Sequence, residues 1–138
     1  MEQLAVEIVG LCREYGECRV EVERMEEVRR VKNALESVCV VARRKLDISD
    51  PALLLALLEA YEVTRDEGML QEVLDVVGRN LDRLAVSAES VKLLAYCYYY
   101  VEEEECAERA RRMLEELRKM GRGEEELADA ETILEELT

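Results

Sequence analysis

The amino-acid sequence predicts an all-α protein built from three stacked antiparallel helical hairpins. The first observation is a pattern that occurs three times: an aliphatic residue, a leucine three positions later and a tyrosine four positions after that. It is formed by Ile8, Leu11 and Tyr15, by Leu54, Leu57 and Tyr61, and by Val91, Leu94 and Tyr98. Spacings of three and four place each set on one face of an α-helix. The second observation is that the tyrosines lie 46 and 37 residues apart, a period typical of stacked helical units. The third is composition, because Phe and Trp are absent and Pro occurs once.

The first hairpin is predicted over residues 2–46. Its first helix covers 2–15 and ends at Gly16, since glycine is enriched just after helix ends. A long second helix is predicted from about 18 to 46, where valines and leucines recur at helical spacing. Two alternatives to this long helix remain: a β-strand at the β-branched run Val38–Val41, and a break in the helix near Lys32-Asn33.

The second hairpin is predicted over residues 50–85, and its start is the clearest boundary in the chain. Asp50 suits an N-cap and Pro51 the first helical position. The helix that follows, about 51–65, is apolar nearly all round, so we expect it to be covered on several sides. After a short turn, a second helix is predicted over about 67–84, with Gly78 inside it.

The third hairpin is predicted over residues 87–120, followed by a capping helix over 124–137. Ser87 should cap a helix over about 88–101, and Glu102–Glu105 suit the positive N-terminal end of the next helix. Basic residues follow at the negative end of that helix, namely Arg118, Lys119 and Arg122. The last helix has one apolar face and one acidic face, as the terminal helix of a repeat stack requires.

Composition and charge limit the function classes. At 138 residues, with 49% apolar and 38% charged residues, the chain should fold as one domain over residues 1–138. Its net charge of −14 repels phosphate backbones, so we expect no nucleic-acid partner. Short basic runs lie inside amphipathic helices and indicate ion-paired, solvated faces: Arg29-Arg30, Arg43–Lys45 and Arg111-Arg112. The longest apolar run, Ala52–Leu58, is too short to span a bilayer. With no secretory apolar segment at the start, a cytoplasmic protein without a membrane partner is expected.

The five cysteines show no CxxC pair, and the chain contains no histidine, so we expect no metal site. Cys97 and Cys106 lie on opposite arms of one predicted hairpin, which makes a disulfide between them conceivable. The alternative is that most cysteines are small buried hydrophobic residues. Two Asn, two Gln and frequent Glu and Arg suggest a thermophilic source, where intracellular disulfides occur.

No residue pattern indicates catalysis or a cofactor. The commonest general base, histidine, is missing, and no phosphate-binding glycine loop or nucleophile motif is present. Glutamates at helical spacing, such as Glu23, Glu26 and Glu27, imitate a di-iron carboxylate set but lack its histidines. We therefore expect a protein that is not an enzyme.

The third hairpin resembles a tetratricopeptide repeat. Val91, Leu94, Ala95 and Tyr98 match the first helix of that repeat, and Ala107 falls at the alanine position of the second helix. Matches in the first helices of the other hairpins are Leu54, Leu57 and Tyr61, and Ile8, Leu11, Cys12 and Tyr15. Aliphatic Leu74 meets the position of the large aromatic in the second helix. Departures occur at Leu58, Leu70 and Arg111, and neither the opening tryptophan nor the closing proline is present. The resemblance implies a short right-handed solenoid whose concave surface, lined by the first helix of each hairpin, binds a partner segment.

On this basis a partner-binding surface is predicted on the first helices. Its residues are Arg13, Glu59, Glu62, Lys92, Tyr96, Tyr99 and Tyr100, with Val9 and Leu55 beside them. Tyrosine combines a large apolar face with a polar tip and is favoured at interfaces. Four tyrosines in five residues cannot all face the core, so one or two should be exposed; the alternative is that they pack against helix 124–137. The expected partner is another protein or peptide, and the alternative function is a self-associating structural subunit.

Overall fold

The computed structural model describes residues 2–19, 25–121 and 124–137, and this part of the chain is helical without any β-strand. The described residues form seven α-helices: α1 (Glu2–Cys18), α2 (Met25–Arg43), α3 (Pro51–Thr64), α4 (Glu67–Arg79), α5 (Ala88–Val101), α6 (Glu104–Lys119) and α7 (Glu124–Leu137). A 3₁₀ turn, Leu81–Arg83, follows α4. The predicted all-α class is confirmed.

The chain divides into two compact units, Met1–Val73 and Leu74–Thr138, with the division inside α4. In the first unit α1 packs against α2 and α3, and α2 makes a smaller contact with α3. The third helix of this unit therefore lies mainly against the first. Fully buried leucines from α3 fill the core, together with Ile8 and Leu35.

The second unit shows the same order of packing. Helix α5 packs against α6 and α7, and the contact of α6 with α7 is the smallest of the three. The core consists of Leu93 and Leu94 from α5, Met113 and Leu117 from α6 and Ala130 from α7. Exposed acids such as Asp129 and Glu135 lie on the opposite face of α7, so the amphipathic pattern predicted for this helix is present.

Helices α3 and α5 repeat one another at an interval of 37 residues. Both contain 14 residues, and each has a side-chain N-cap. Asp50 accepts a hydrogen bond from the Leu53 amide at 3.3 Å, and Ser87 accepts one from the Ser90 amide at 3.1 Å. These caps satisfy amide groups that the helix itself leaves without acceptors. The expected roles of Asp50, Pro51 and Ser87 are confirmed.

The two helices also end alike. Arg65 and Glu102, again 37 residues apart, adopt the left-handed conformation with φ of 54° and 52°. Their amides donate to the carbonyl oxygens of Tyr61 and Tyr98, at 2.8 and 2.7 Å. Neither residue is a glycine or asparagine, the usual residues at such a position. The repeat seen in the tyrosine spacing is therefore present in backbone conformation.

Several predicted boundaries are wrong. Helix α1 continues through Gly16 to Cys18, because this glycine is exposed and a helix tolerates an exposed glycine at a cost of about 1 kcal/mol. The first described residue of α2 is Met25, its last is Arg43, and the strand considered at Val38–Val41 is helical. Residues 20–24 lie outside the described part of the chain, as does Arg122. Helix α4 ends at Arg79 rather than near 84.

The apolar stripes that predicted the fold are mostly buried. Ile8, Leu54, Leu57, Val91 and Leu94 are each fully buried. The tyrosines differ, because Tyr61 is buried whereas Tyr15 and Tyr98 are only half-buried. Tyr61 donates to Glu67 at 2.5 Å and Tyr98 to Glu104 at 3.5 Å, which links each of α3 and α5 to the first turn of the next helix.

Candidate functional site: an exposed tyrosine face on α5

Four predicted site residues lie on α5 in the second unit, at positions 92, 96, 99 and 100. This spacing places them on one side of the helix, away from the buried Val91 and Leu94. We call Lys92, Tyr96, Tyr99 and Tyr100 the tyrosine face. Tyr99 is 56% exposed, and the other three side chains are half-buried.

The rings of Tyr99 and Tyr100 meet edge to face, with centroids 5.1 Å apart and an interplanar angle of 73°. This is a favoured arrangement of an aromatic pair, and it presents the Tyr99 ring to solvent. The expectation that one or two tyrosines of the cluster are exposed is confirmed. Val101, which the sequence prediction did not include, adds an apolar side chain 40% exposed at the end of the same helix.

The other predicted site residues belong to the first unit. Arg13 is exposed on α1, Glu59 is half-buried on α3, and Glu62 is exposed on α3. Because α1 and α3 pack against each other, these residues lie on two adjacent helices. Glu62 forms an ion pair with Arg65, with 3.5 Å between Oε2 and Nη2. Whether these residues bind a partner stays a prediction.

The first unit also contains an arginine clamp that the sequence prediction missed. Arg43 donates from Nε and Nη2 to the two carboxylate oxygens of Glu72, at 3.0 and 2.5 Å, and from Nη1 to Asp66 at 2.9 Å. Asp66 also accepts the amide of Met69 at 3.1 Å. The hydrogen bonds with Arg43 lower the pKa of the Glu72 carboxyl and raise that of the guanidinium. An ion-paired face was predicted for this basic run, and Arg43 forms one.

A cavity of about 420 Å³ lies beside the arginine clamp, lined by Glu36, Cys39, Val40, Arg43, Thr64, Asp66 and Met69. A Cβ on Gly68 would lie 3.4 Å from Nη2 of Arg43 and 3.3 Å from Oδ1 of Asp66, so this position is closely packed. Since the guanidinium group is already bound by two carboxylates, the clamp serves to join α2 to α4 and to the turn before it. It offers little to an incoming anion.

The five cysteines, all within described ranges, are thiols, and the conceivable Cys97–Cys106 disulfide is not formed. Burial is the main cause of raised thiol pKa values: about 12 for Cys12 and about 11 for Cys39. Burial also raises the pKa of Cys97 and Cys106. Such thiols are poor nucleophiles, because the reactive form is the thiolate. Four of the five are buried and pack as small apolar residues, and Cys12 is half-buried.

Two structural observations concern other kinds of site. Within the described residues, no group of three or more Cys, Asp or Glu side chains is arranged to hold a metal ion. None of the helices in the described ranges is long and apolar enough to cross a bilayer.

Comparison with known proteins gives no relative from which a function could be transferred. No family model matches the chain, and no curated protein and no solved structure matches it.

Proposed function

We propose that this protein is a non-catalytic interaction module, related in architecture to tetratricopeptide repeats, that binds a peptide segment of another protein on the tyrosine face of α5. The proposal is supported mainly by the exposure of Tyr99, a large aromatic side chain that is 56% exposed on α5. Tyrosine is enriched among the residues that dominate binding energy at protein interfaces. Its fixed helical position lowers the entropy that binding must overcome.

The repeat architecture is supported by two features. The first is the interval of 37 residues at which the caps, the left-handed turns and the tyrosine-to-glutamate hydrogen bonds recur. The second is the packing within each unit, where the third helix lies mainly against the first. In a repeat stack each hairpin contacts its sequence neighbours in a regular way. The one-domain solenoid, with α7 as its capping helix, is part of this proposal.

A peptide partner fits the chemistry of the tyrosine face. Tyr96, Tyr99 and Tyr100 offer flat rings with hydroxyl groups at their tips. Lys92 adds one positive charge at the N-terminal end of the face. An apolar or aromatic side chain flanked by polar groups matches this pattern. The surrounding acidity of the chain, with a net charge of −14, favours partners that are basic or mixed in charge outside that anchor.

The test is a selection of peptides from a random display library against the immobilised full-length protein. Binding of the selected peptides is then measured by fluorescence anisotropy for wild type, Tyr99→Ala and Val6→Ala. Val6 is the matched control, because it is an apolar side chain 71% exposed on α1, in the other unit. We expect Tyr99→Ala to weaken binding about thirtyfold, the loss typical of an interface hot spot, and Val6→Ala to leave it unchanged. Selected peptides that bind both variants as they bind wild type would remove the tyrosine face from the proposal.

A second candidate function, self-association, is favoured by the apolar side chains exposed on α2. Met25 is 58% exposed, Val40 51% and Val41 42%. A second copy of the chain could cover them in a symmetric contact. Sedimentation equilibrium over a wide concentration range, for wild type and Val40→Asp, tests this candidate. A dimer that Val40→Asp dissociates would support it, and a concentration-independent monomer would eliminate it.

We propose a cytoplasmic location, because the cysteines are thiols and reducing compartments maintain that state. The thermophilic source suggested by composition also stays a proposal. Thermal unfolding of the purified protein tests the latter, since a midpoint in the mesophilic range of about 45–65 °C would argue against it.

A further inference from the structure

A second concave site lies in the second unit, formed by the end of α4, the 3₁₀ turn and α6. The cavity has a volume of about 660 Å³, within the size range of ligand pockets. Its charged lining includes Arg79, Arg83, Arg109 and Arg112. We call it the arginine cavity. In a chain with 33 acidic and 19 basic residues, four arginines around one cavity are a local reversal of charge.

The local sequence explains the walls of the arginine cavity. On α6, Glu105, Glu108, Arg109 and Arg112 follow helical spacing and share one face, while Ala107, Ala110 and other residues of the opposite face are buried. The facing wall is fixed by Asn80, whose side-chain amide donates to the carbonyl oxygen of Val76 at 2.7 Å. Buried Leu84 anchors the end of the turn.

The arginines of this cavity differ from the arginine clamp, because their guanidinium groups have no carboxylate bound. Among the described residues, none of the four forms an ion pair within 4.0 Å or a side-chain hydrogen bond. The Nε of Arg109 is buried and has no hydrogen-bond partner. A buried donor without an acceptor is unfavourable.

We propose that the arginine cavity binds the carboxylate group of an acidic side chain in a peptide segment of a partner. The guanidinium fork matches a carboxylate in two parallel hydrogen bonds. Asp82, Glu105 and Glu108 also line the cavity, so the positive charge exceeds the negative by one. This excess of one positive charge balances a monoanionic carboxylate, whereas the nearly two negative charges of a phosphate group would exceed it. The proposal does not depend on the tyrosine face, which lies on a different helix.

The experiment follows the arginine Nε–H signals of the ¹⁵N-labelled full-length protein by NMR during titration with N-acetyl-glutamate N-methylamide. We expect the Arg109 and Arg112 signals to shift in a saturable way. The isosteric glutamine compound, which lacks the charge, should leave these signals in place. Inorganic phosphate is titrated in parallel to compare the two classes of anion.

Two variants localise the effect. Arg112→Gln removes a cavity arginine that is exposed, so folding is retained, and should weaken binding of the glutamate compound about tenfold. Arg111→Gln makes the same charge change one residue away, at an exposed position outside the cavity lining, and should not alter binding. Equal losses in both variants would mean a general effect of charge and overturn the proposal. It would also be overturned if the arginine signals do not shift, or if phosphate binds more tightly than the glutamate compound.

Discussion

Replacing Leu94 by alanine should destabilise the protein strongly, whereas replacing Tyr99 on the same helix should not. Leu94 is completely buried in the second unit, and Tyr99 is 56% exposed. The two positions lie five residues apart on α5, so they test the assignment of its buried and exposed faces. The distinction matters for function, because a binding residue must be accessible and its loss must leave the fold intact.

The magnitudes follow from burial. Truncating Leu94 removes three buried carbon atoms, which is a transfer loss of about 2.4 kcal/mol at about 0.8 kcal/mol each. The cavity that remains adds to this, so we expect a total of about 3–4 kcal/mol. Truncating Tyr99 removes a partly solvated ring and its edge contact with Tyr100, which together stabilise the protein by about 1 kcal/mol. At about 4 °C per kcal/mol, the midpoint should fall by 12–16 °C for Leu94→Ala and by about 4 °C for Tyr99→Ala.

Chemical denaturation followed by circular dichroism measures both changes. The denaturant dependence of the free energy of unfolding should be unchanged if each variant keeps the native structure. A loss of 3 kcal/mol or more for Tyr99→Ala, about that expected for Leu94→Ala, would place the Tyr99 ring in the core and refute the reasoning. A loss below about 1 kcal/mol for Leu94→Ala would equally contradict the packing of α5.

Further predictions concern the arginine clamp, the α5 cap and the thiols. Glu72→Gln should lower the free energy of unfolding by about 1 kcal/mol at neutral pH, since the pair is partly exposed. The pKa of the Glu72 carboxyl is lower in the folded protein than in the unfolded protein, where it is 4.5. The stabilisation by the ion pair is therefore complete above pH 4.5 and is lost as the pH falls through the folded-state pKa. In urea titrations, the stability difference between wild type and Glu72→Gln should be smaller at pH 3 than at pH 7. Ser87→Ala should lower the free energy of unfolding by about 1–2 kcal/mol, because it removes the N-cap and the partner of the buried Ser90 hydroxyl. Adding Ser90→Ala should restore part of this free energy, since the hydroxyl left without a partner is then gone. Losses that simply add in the double variant would contradict this. Cys12 and Cys39, with pKa values of about 12 and 11, should react with iodoacetamide at pH 8 far more slowly in the native than in the unfolded protein. Mass spectrometry of labelled peptides measures both rates, and equal rates would contradict the raised pKa values.

The features that could be predicted from sequence are those decided by a few neighbouring residues. The Asp50 and Ser87 caps depend on a side chain and an amide three positions later, so the residue types suffice to locate them. The helical spacing of apolar residues likewise predicted which faces of α3 and α5 are buried. Gly16 shows the limit of such rules, since an exposed glycine inside a helix and a glycine after its end look alike in sequence.

The features that were missed depend on residues distant in sequence or on backbone conformation alone. Arg43 bonds to Asp66 and Glu72, which follow it by 23 and 29 residues, and no local pattern selects these partners among 33 acids. The arginine cavity is lined by residues of the 3₁₀ turn near residue 82 and of α6. The sequence contains these arginines, but no local pattern indicates that they lie around one cavity. The left-handed turns at Arg65 and Glu102 lack the glycine that usually indicates them.

The packing order within the units bears on how fast the chain folds. In each unit the helices that pack together are first or second neighbours along the chain, and a pair such as α5 and α6 is joined by a short loop. Short loops cost little entropy to close, and proteins dominated by such local contacts fold in microseconds to milliseconds. We therefore expect each unit to fold soon after its three helices have been synthesised. Its apolar surfaces are then exposed to other chains only briefly.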